Sequence, residues 1–419
     1  MSSTRKRAVV ICISTPHPAS TGTRLRSQSV IRSLITQGYQ VTAIYPRDTR
    51  ESDDQIAHQL GMHKGISLPV TRRRILMAQD YLRRLLGIKQ IEISYAQLRL
   101  SFRARILLRR LRRKEIYDLV VTEYSIATVI RNYINSKFYI LDTCDLMSIH
   151  NQQARTFEEA FLRWQQVGDF PFLELQFAGV LDPVISGEEI AELEQYNALI
   201  SISDSEFREI NSLHLGIPNH LIPPCVSVPV FEKDNYTGFP VFAYSTNVFN
   251  TQGLIHFMNN LLPAILQFIP EFKMLITGNV PTEALHSPFL ICLGFVSDIQ
   301  EIYHNAGFAI IPTYNGTGQQ LKVPEAMSHS LAVVGYRKRI DSAILSDGIE
   351  GYLANNEEEF VAAVVKLWTD RDLARTMGKS ARKKVTSDLS QESFDSAFRT
   401  VITGLEEGIR CSECESLSV

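Results

Sequence analysis

The chain lacks a long hydrophobic run: no apolar stretch in its 419 residues approaches the roughly 20 needed to cross a bilayer, so no segment reads as a membrane span. It also lacks a strong charge of either sign. Against 43 Lys and Arg stand 45 Asp and Glu, a formal charge of −2, so the molecule as a whole exerts no strong pull on nucleic acid or membrane. Any such contact has to come from a local patch. Cysteine is sparse and scattered, at 12, 144, 225, 292, 411 and 414, without the spacing of a disulfide scaffold or of paired zinc modules. The lone Cys411-x-x-Cys414 sits in a polar end with no second ligand pair nearby and reads as part of a disordered tail. The opening MSSTRKRAVVICIS is basic, but its short apolar run leads into Pro16 and His17 without the small-residue cleavage site of a signal peptide. Internal repeats and low-complexity blocks are missing too. What is left is a cytoplasmic globular protein, long enough at 45% hydrophobic residues to bury the cores of two domains or more.

The apolar patterning is that of buried parallel strands alternating with helices. Ala8 to Ile13 is a continuous apolar run followed by a loop of Ser, Thr, Pro and Gly. Leu25, Val30, Ile31, Leu34 and Ile35 then fall at helical spacing, Gly38 supplies a stop, and Val41 to Tyr45 reads as the next strand. Leu119 to Thr122, Phe138 to Leu141 and Ala198 to Ile202 repeat the theme, which favours a doubly wound sheet. Residues 217 to 240 are rich in Pro and turn formers and read as a domain linker. A second α/β series follows, with strands expected at Val241 to Tyr244, Lys273 to Thr277, Ile291 to Leu293, Phe308 to Ile311 and Ala332 to Tyr336, and a helix over 251–269. The expected organisation is a Rossmann-like domain over 1–225, a second over 226–400 whose last helix packs back on the first, and a tail over 401–419. Two such domains facing each other leave a cleft at the carboxyl ends of their sheets, where open α/β sheets bind ligands.

The most informative stretch runs from Ile310 to Met327, IIPTYNGTGQQLKVPEAM. A buried strand passes into a Gly-Thr-Gly loop and then a helix, so backbone N–H groups at the helix start can hold a diphosphate. Lys322 adds a positive charge, and Glu325, three residues on and on nearly the same face, offers a carboxylate that can accept two hydrogen bonds from a ribose diol. By spacing alone an exposed ion pair on a surface helix is the readier reading, since a lone glycine loop is a weak signal.

GTGQQLKVPEAM resembles the donor-site motif of retaining glycosyltransferases of family 4, in which a Gly-rich loop precedes Lys-x-x-Glu-Ala-Met. The resemblance extends to NTQGLIHFMNNLLPAILQFIPEFKMLITG from Asn250 and to LGFVSDIQEIYHNAGFAIIP. In the first half it takes in Pro16 to Arg24 with LITQGYQV, and EQYNALISISDSEFREI. It is dense from about 240 to 400 and sparse from 50 to 115. It implies the GT-B fold, transfer of a sugar from a nucleotide-sugar donor to a glycan, lipid-linked or protein acceptor with retention of configuration, and no metal or other cofactor. Carried over, it implies that Glu325 binds the donor ribose and that Lys322 with the amides of Gly318 and Gln319 neutralises the diphosphate, where leaving-group charge develops. Gly316, Thr317 and Asn247 belong to the same donor-binding set; Gly22, Thr23 and Arg24 approach the phosphates from the other domain. Gly294 and Phe295 lie where base and sugar are selected.

Three positions depart from the family pattern. Thr317 stands where many members carry the first Glu of Glu-x7-Glu, as in a related branch with a GTG loop. Ser330 and Ala332 replace the Gly and Pro of Ala-Met-Ala-x-Gly-x-Pro-Val-Val, so a different turn is expected there. Cys144 in LDTCDL takes the place of a His, leaving Asp145 as the better candidate for a hydroxyl contact or a base toward the acceptor. A helix-capping role for such an aspartate is the bland alternative. Glu188, Glu189 and Glu192 read as a solvated helix face. The departures keep open a non-catalytic partner or binding subunit of the same fold, and an epimerase acting on nucleotide sugars is a further alternative. An NAD-dependent oxidoreductase is disfavoured, because neither half shows G-x-G-x-x-G after its first strand.

Charge is most uneven from Thr71 to Glu115, where fourteen basic residues face three acidic ones, Asp80, Glu92 and Glu115. Leu82, Leu85, Leu86 and Ile106, Leu107, Leu111 interleave with the arginines at near-helical spacing. The expectation is a helix with an apolar strip edged by positive charge, lying on the cytoplasmic face of an anionic membrane. Nucleic acid is not expected as a partner, because aromatic interleaving is sparse.

Overall fold

The computed structural model describes residues 5–18, 21–47, 51–69, 100–114, 116–155, 183–230, 233–296, 298–318 and 320–416. The chain divides into two compact units: Met1–Ser148 with Val184–Ile222 and Phe394–Val419, and Ile149–Pro183 with Pro223–Ser393.

In the first unit, β1 (Arg7–Ile11), β2 (Gln40–Pro46), β3 (Lys64–Leu68), β4 (Ile116–Glu123), β5 (Asn135–Asp142), β6 (Ala198–Ser201) and β7 (Asn219–Leu221) form one parallel sheet in the order β3-β2-β1-β4-β5-β6-β7. The expected strands at 8, 41, 119, 138 and 198 are β1, β2, β4, β5 and β6. Their apolar runs are legible because parallel strands are covered on both faces. Strand β7 lies inside the stretch read as a linker. It is a half-buried edge strand whose pairing with β6 runs through backbone groups, so it has no apolar run to betray it.

The helix Gly22–Thr36 packs Val30, Ile31 and Leu34 inside and carries polar side chains into the core as well. Arg26 forms a buried ion pair with Asp142 at the end of β5, Nε to Oδ2 at 2.7 Å and Nη2 to Oδ1 at 3.1 Å. The guanidinium also lies over the Phe394 ring, 4.8 Å from its centroid. Phe394 belongs to the helix Gln391–Ser416, which continues through Cys411 and Cys414 where an irregular end is expected. Ser27 donates to Glu123 at the end of β4 (2.6 Å), and that carboxyl is fully buried. Burial, with Asp142 adding to it, pushes the Glu123 pKa up to about 8.

Two sequence readings are corrected here. The helix Phe102–Lys114 buries Ala104 and Leu108 and packs Leu107 and Leu111 against the core beneath β1 and β4, so its apolar strip is internal and not free for a membrane. Arg103, Arg105, Arg109, Arg110, Arg112 and Arg113 remain exposed. Residues 71 to 99 of that basic segment lie outside the described residues. Glu189 is not on a solvated face: at 1% exposure it accepts from Ser125 Oγ (2.8 Å) and from the N–H groups of Met147 (3.1 Å) and Ser148 (2.9 Å), capping the helix over 147–155.

In the second unit, β8 (Val241–Phe242), β9 (Met274–Ile276), β10 (Leu290–Cys292), β11 (Ala309–Ile311), β12 (Val333–Tyr336) and β13 (Gly351–Ala354) form a parallel sheet in the order β10-β9-β8-β11-β12-β13. The helix expected over 251–269 starts at Val248, passes through one π-helical turn at Phe257–Leu261 and ends at Phe268. Strands β3 and β13 were not expected; each is short and interrupted by Gly or polar residues.

A buried carboxyl whose pKa is raised by folding binds more protons folded than unfolded between its two pKa values. Its contribution is therefore full below about pH 4.5 and is lost as pH rises through about 8. Glu123→Gln should flatten that slope: in urea melts from pH 5 to 9, wild type should lose a few kcal/mol more than the variant. Equal slopes would show that Glu123 ionises in the folded protein at no cost.

Candidate functional site

Strand β11 is completely buried and ends at Ile311; from there the chain leaves the sheet through Pro312, buried Thr313 and Tyr314 into the Asn315–Gly318 loop. Gly316 has φ +109°, and a Cβ there would lie 3.0 Å from the Phe249 ring; Gly318 has φ +66°. Both backbone shapes disfavour any side chain. The loop is tied down on two sides. Arg339 donates to the carbonyls of Asn315, Thr317 and Gly318, and Asn315 Nδ2 donates to Gln252 Oε1 at 3.2 Å. The Gly316 N–H donates to Gln153 Oε1 at 3.0 Å.

The helix Lys322–Ser328 follows, and Lys322 opens it. Its ammonium donates to Ser245 Oγ at 3.0 Å, just beyond β8. Removal from water pushes the lysine pKa down to about 8, with Glu325 opposing the shift. Glu325 is half-buried, and the hydroxyl of buried Tyr303 donates to its Oε2 at 3.2 Å. Desolvation raises the Glu325 pKa, against the lowering effects of that hydrogen bond and of Lys322. Lys322 and Glu325 thus form one partly desolvated cluster, not an exposed surface pair.

The remaining residues expected on the donor side take varied places. Asn247 is exposed and caps the helix Val248–His256, its side chain accepting from the Asn250 N–H at 2.8 Å. Gly294, at φ +68°, pairs with Gly278, whose N–H reaches its carbonyl at 2.6 Å. Phe295 is 82% exposed. Thr317 sits in the loop with its carbonyl on Arg339. Gln319 lies outside the described residues. Ser330 adopts φ +59°, and the N–H groups of Ser330 and Leu331 close the helix end on the carbonyls of Met327 and Ala326.

In the first unit Gly22 opens the helix Gly22–Thr36 behind the capping Thr21, and Thr23 Oγ1 lies 3.3 Å from the Tyr124 hydroxyl. Arg24 donates weakly to the Pro18 carbonyl, at 3.5 Å. Tyr124 (φ +60°) and Cys144 (φ +54°) hold left-handed backbone just beyond β4 and β5. Such strain in non-glycine residues is tolerated only where the surroundings enforce it. Burial, with Asp142 and Glu123 nearby, pushes the Cys144 thiol well above its ordinary range, so it stays a thiol and is unsuited to nucleophilic work. Asp142 is committed to Arg26, whereas Asp145, 9% exposed, lies in the turn after β5 with its N–H on the Thr143 carbonyl at 2.5 Å.

Sequence reasoning missed Ser245, Tyr303, Gln153 and Arg339, because each reaches the site from a different element at a separation that no local motif encodes.

Residues 240–370, which hold the loop, Lys322 and Glu325, match the family model described as Glycosyl transferases group 1. Over 384 residues the chain is 22% identical to an uncharacterized 44.6 kDa protein in the cps region of Klebsiella pneumoniae, covering 86% of this chain and 90% of that one. Among solved structures, sucrose-phosphate synthase from Thermosynechococcus elongatus superposes at TM-score 0.61 with 15% identity over 96% of this chain and 100% of its own. HepE of Anabaena, crystallised with UDP and glucose, gives TM-score 0.63 at 11% identity over 95% and 100%. TarM of S. aureus gives TM-score 0.65 at 11% identity over 95% and 99%. The two parallel-sheet units are those of the GT-B glycosyltransferase fold, and residues 240–370 of the second match the group 1 glycosyltransferase model.

Proposed function

We propose that the protein transfers a sugar from a nucleotide-sugar donor to a glycan, lipid-linked or protein acceptor with retention of configuration. The observation that carries this reading is the cluster at the end of β11: a glycine loop whose carbonyls are held by Arg339, followed within one short helix by Lys322 and Glu325. As the glycosidic bond of the donor breaks, negative charge grows on the departing nucleoside diphosphate. Lys322 and the amides of the Gly-Thr-Gly loop stabilise that charge without a metal ion. Glu325, steadied by Tyr303, accepts hydrogen bonds from the ribose hydroxyls. Asp145 contacts a sugar hydroxyl or serves the acceptor as base. HepE, whose structure holds UDP and glucose, supports a uridine nucleotide as the first donor to try.

Incubation with a panel of nucleotide sugars and lipid-linked acceptors, scored by nucleoside diphosphate release and by the anomeric configuration of the product, tests the reading. Lys322→Ala and Glu325→Ala should each lose at least tenfold in turnover or donor affinity, since a charge-assisted contact contributes about 1.5–3 kcal/mol. Wild-type kinetics in either variant at unchanged stability would sink the assignment.

With its pKa near 8, free Lys322 is partly neutral in mildly alkaline solution, and a bound diphosphate restores its charge. Titration calorimetry of UDP binding at pH 8.5, in buffers of different ionisation enthalpy, should show proton uptake that disappears in Lys322→Arg. Affinity should fall as pH rises above about 8 in wild type. Absence of uptake would mean that Lys322 does not meet the anion.

The basic face of the helix Phe102–Lys114, with its apolar side internal, supports contact with anionic membrane by charge alone. Each basic residue near such a surface contributes about 1 kcal/mol. No helix among the described residues is long and apolar enough to cross a membrane. Co-sedimentation with anionic vesicles should be seen at low salt, weaken with added salt, and drop when Arg109, Arg110, Arg112 and Arg113 are changed to Glu. Wild type remaining in the supernatant at low salt would remove the membrane from the proposal.

A further inference from the structure

Three backbone carbonyls of the donor loop converge on a single side chain. Arg339 lies in the turn after β12, held there by its own N–H on the Tyr336 carbonyl (2.9 Å) and by the neighbouring Ile340, which is 3% exposed. Its guanidinium donates from Nε to the Asn315 carbonyl at 3.1 Å, from Nη2 to Thr317 at 2.8 Å and from Nη1 to Gly318 at 2.9 Å. Each nitrogen of the fork thus takes a different peptide of one short loop.

The consequence follows from peptide geometry. In a planar trans peptide the carbonyl and the next residue's N–H point in opposite directions. Turning the Asn315 carbonyl toward Arg339 turns the Gly316 N–H away from it, and turning the Thr317 carbonyl does the same to the Gly318 N–H. The far face of the loop then shows donors, while the partial negative charges that would repel an anion are neutralised behind it. One of those donors already meets an oxygen: Gly316 N–H is bonded to the side-chain carbonyl of Gln153 at 3.0 Å. That face takes an acceptor when one is available. The two glycines, at φ +109° and +66°, allow peptide orientations that other residues resist, but freedom of this kind does not select one of them. A partner on the carbonyl side does. Lysine could not replace it, since a single ammonium lacks the planar fork that spans three carbonyls at once.

We infer that Arg339 is a positioning residue of the donor site, locking the Asn315–Gly318 loop with its carbonyls on the guanidinium and its amides toward the diphosphate of a nucleotide. This rests on the donor-loop reading proposed above. Arg339 itself touches no substrate; it acts through the loop.

The test compares wild type, Arg339→Ala and Arg339→Lys. Binding of UDP, GDP, ADP, CDP and dTDP is measured by calorimetry, and that of the matching nucleoside by ligand-observed NMR. Hydrogen–deuterium exchange over residues 315–318 is followed without ligand. For the diphosphate that wild type binds best, the Kd should rise at least tenfold in Arg339→Ala and less in Arg339→Lys. The nucleoside Kd should change less than twofold, and exchange should speed up in the loop and not across the unit. Equal weakening of diphosphate and nucleoside would reduce Arg339 to general support of the fold and overturn the inference. So would unaltered diphosphate affinity, or unaltered loop exchange, in both variants. Wild type that binds none of the diphosphates would instead overturn the donor-site reading, and this inference with it.

Discussion

A parallel strand covered on both faces has no place along its length for a charge or an unpaired polar group, so polar chemistry collects where the strand stops. Strand β11 shows the constraint at its plainest. Its three residues are completely buried, and the chain must then turn away from the sheet while still finding partners for every peptide group it carries out. The carbonyls of the emerging loop are met by Arg339 from one neighbouring turn, and the Gly316 amide by Gln153 from another segment. The helix that follows begins at once with Lys322, whose ammonium reaches back to Ser245 at the end of β8. The cluster proposed to bind the donor is thus a consequence of how a buried strand is brought to an end.

The first unit meets the same constraint with side chains. Strands β4 and β5 end in the acids Glu123 and Asp142, both at 0% exposure, and the helix Gly22–Thr36 answers with Ser27 and Arg26. One guanidinium serves two buried carboxyls unequally. Asp142 takes hydrogen bonds from Nε and Nη2, whereas Glu123, held by the Ser27 hydroxyl, is pushed toward its protonated form. Glu206, buried nearby with the Ile202 N–H as its donor, is pushed up to about 8 for the same reason. Removing one partner of the Arg26–Asp142 pair would leave an uncompensated buried charge, the costlier half of any such pair. The Phe394 ring over Arg26 brings the C-terminal helix into that arrangement, so the last helix of the chain is tied to the polar core of the first sheet.

How far the sequence could be read follows from the same physics. Strands covered on both faces announce themselves as apolar runs, and β1, β2, β4, β5, β6, β8, β9, β10, β11 and β12 were all legible in that way. Strands β3, β7 and β13 were not, because an edge position or an interrupting Gly removes the run while leaving the backbone pairing intact. The cluster after β11 was legible in part: Gly316, Gly318, Lys322 and Glu325 lie within ten residues of one another and form a local phrase. Their supports were hidden. Tyr303 precedes Glu325 by 22 positions, Ser245 precedes Lys322 by 77, and Gln153 precedes Gly316 by 163, so only the fold brings them together. Two misreadings share one cause. The apolar stripe of Phe102–Lys114 and the carboxylate of Glu189 were assigned to the outside because charged neighbours surround them in sequence. Charge on one side of a helix says nothing of what its other side covers.

Lys322 sits in a partly desolvated place with a hydroxyl as its hydrogen-bond partner, and the carboxylate that opposes its shift is one that Tyr303 also holds. Were the helix built for stability alone, a direct lysine–carboxylate contact or an apolar side chain would serve better, since a half-buried cation without a close counter-charge lowers stability. Under the proposed function the arrangement is one side of an interaction whose other side arrives from outside: a nucleoside diphosphate would complete the charge balance of Lys322, take over the loop amide now held by Gln153, and leave Glu325 facing hydroxyl groups. The unfavourable part of the arrangement is present before the ligand binds, so little reorganisation is left for the moment of reaction, which is the condition under which fixed dipoles and charges stabilise a developing charge most strongly.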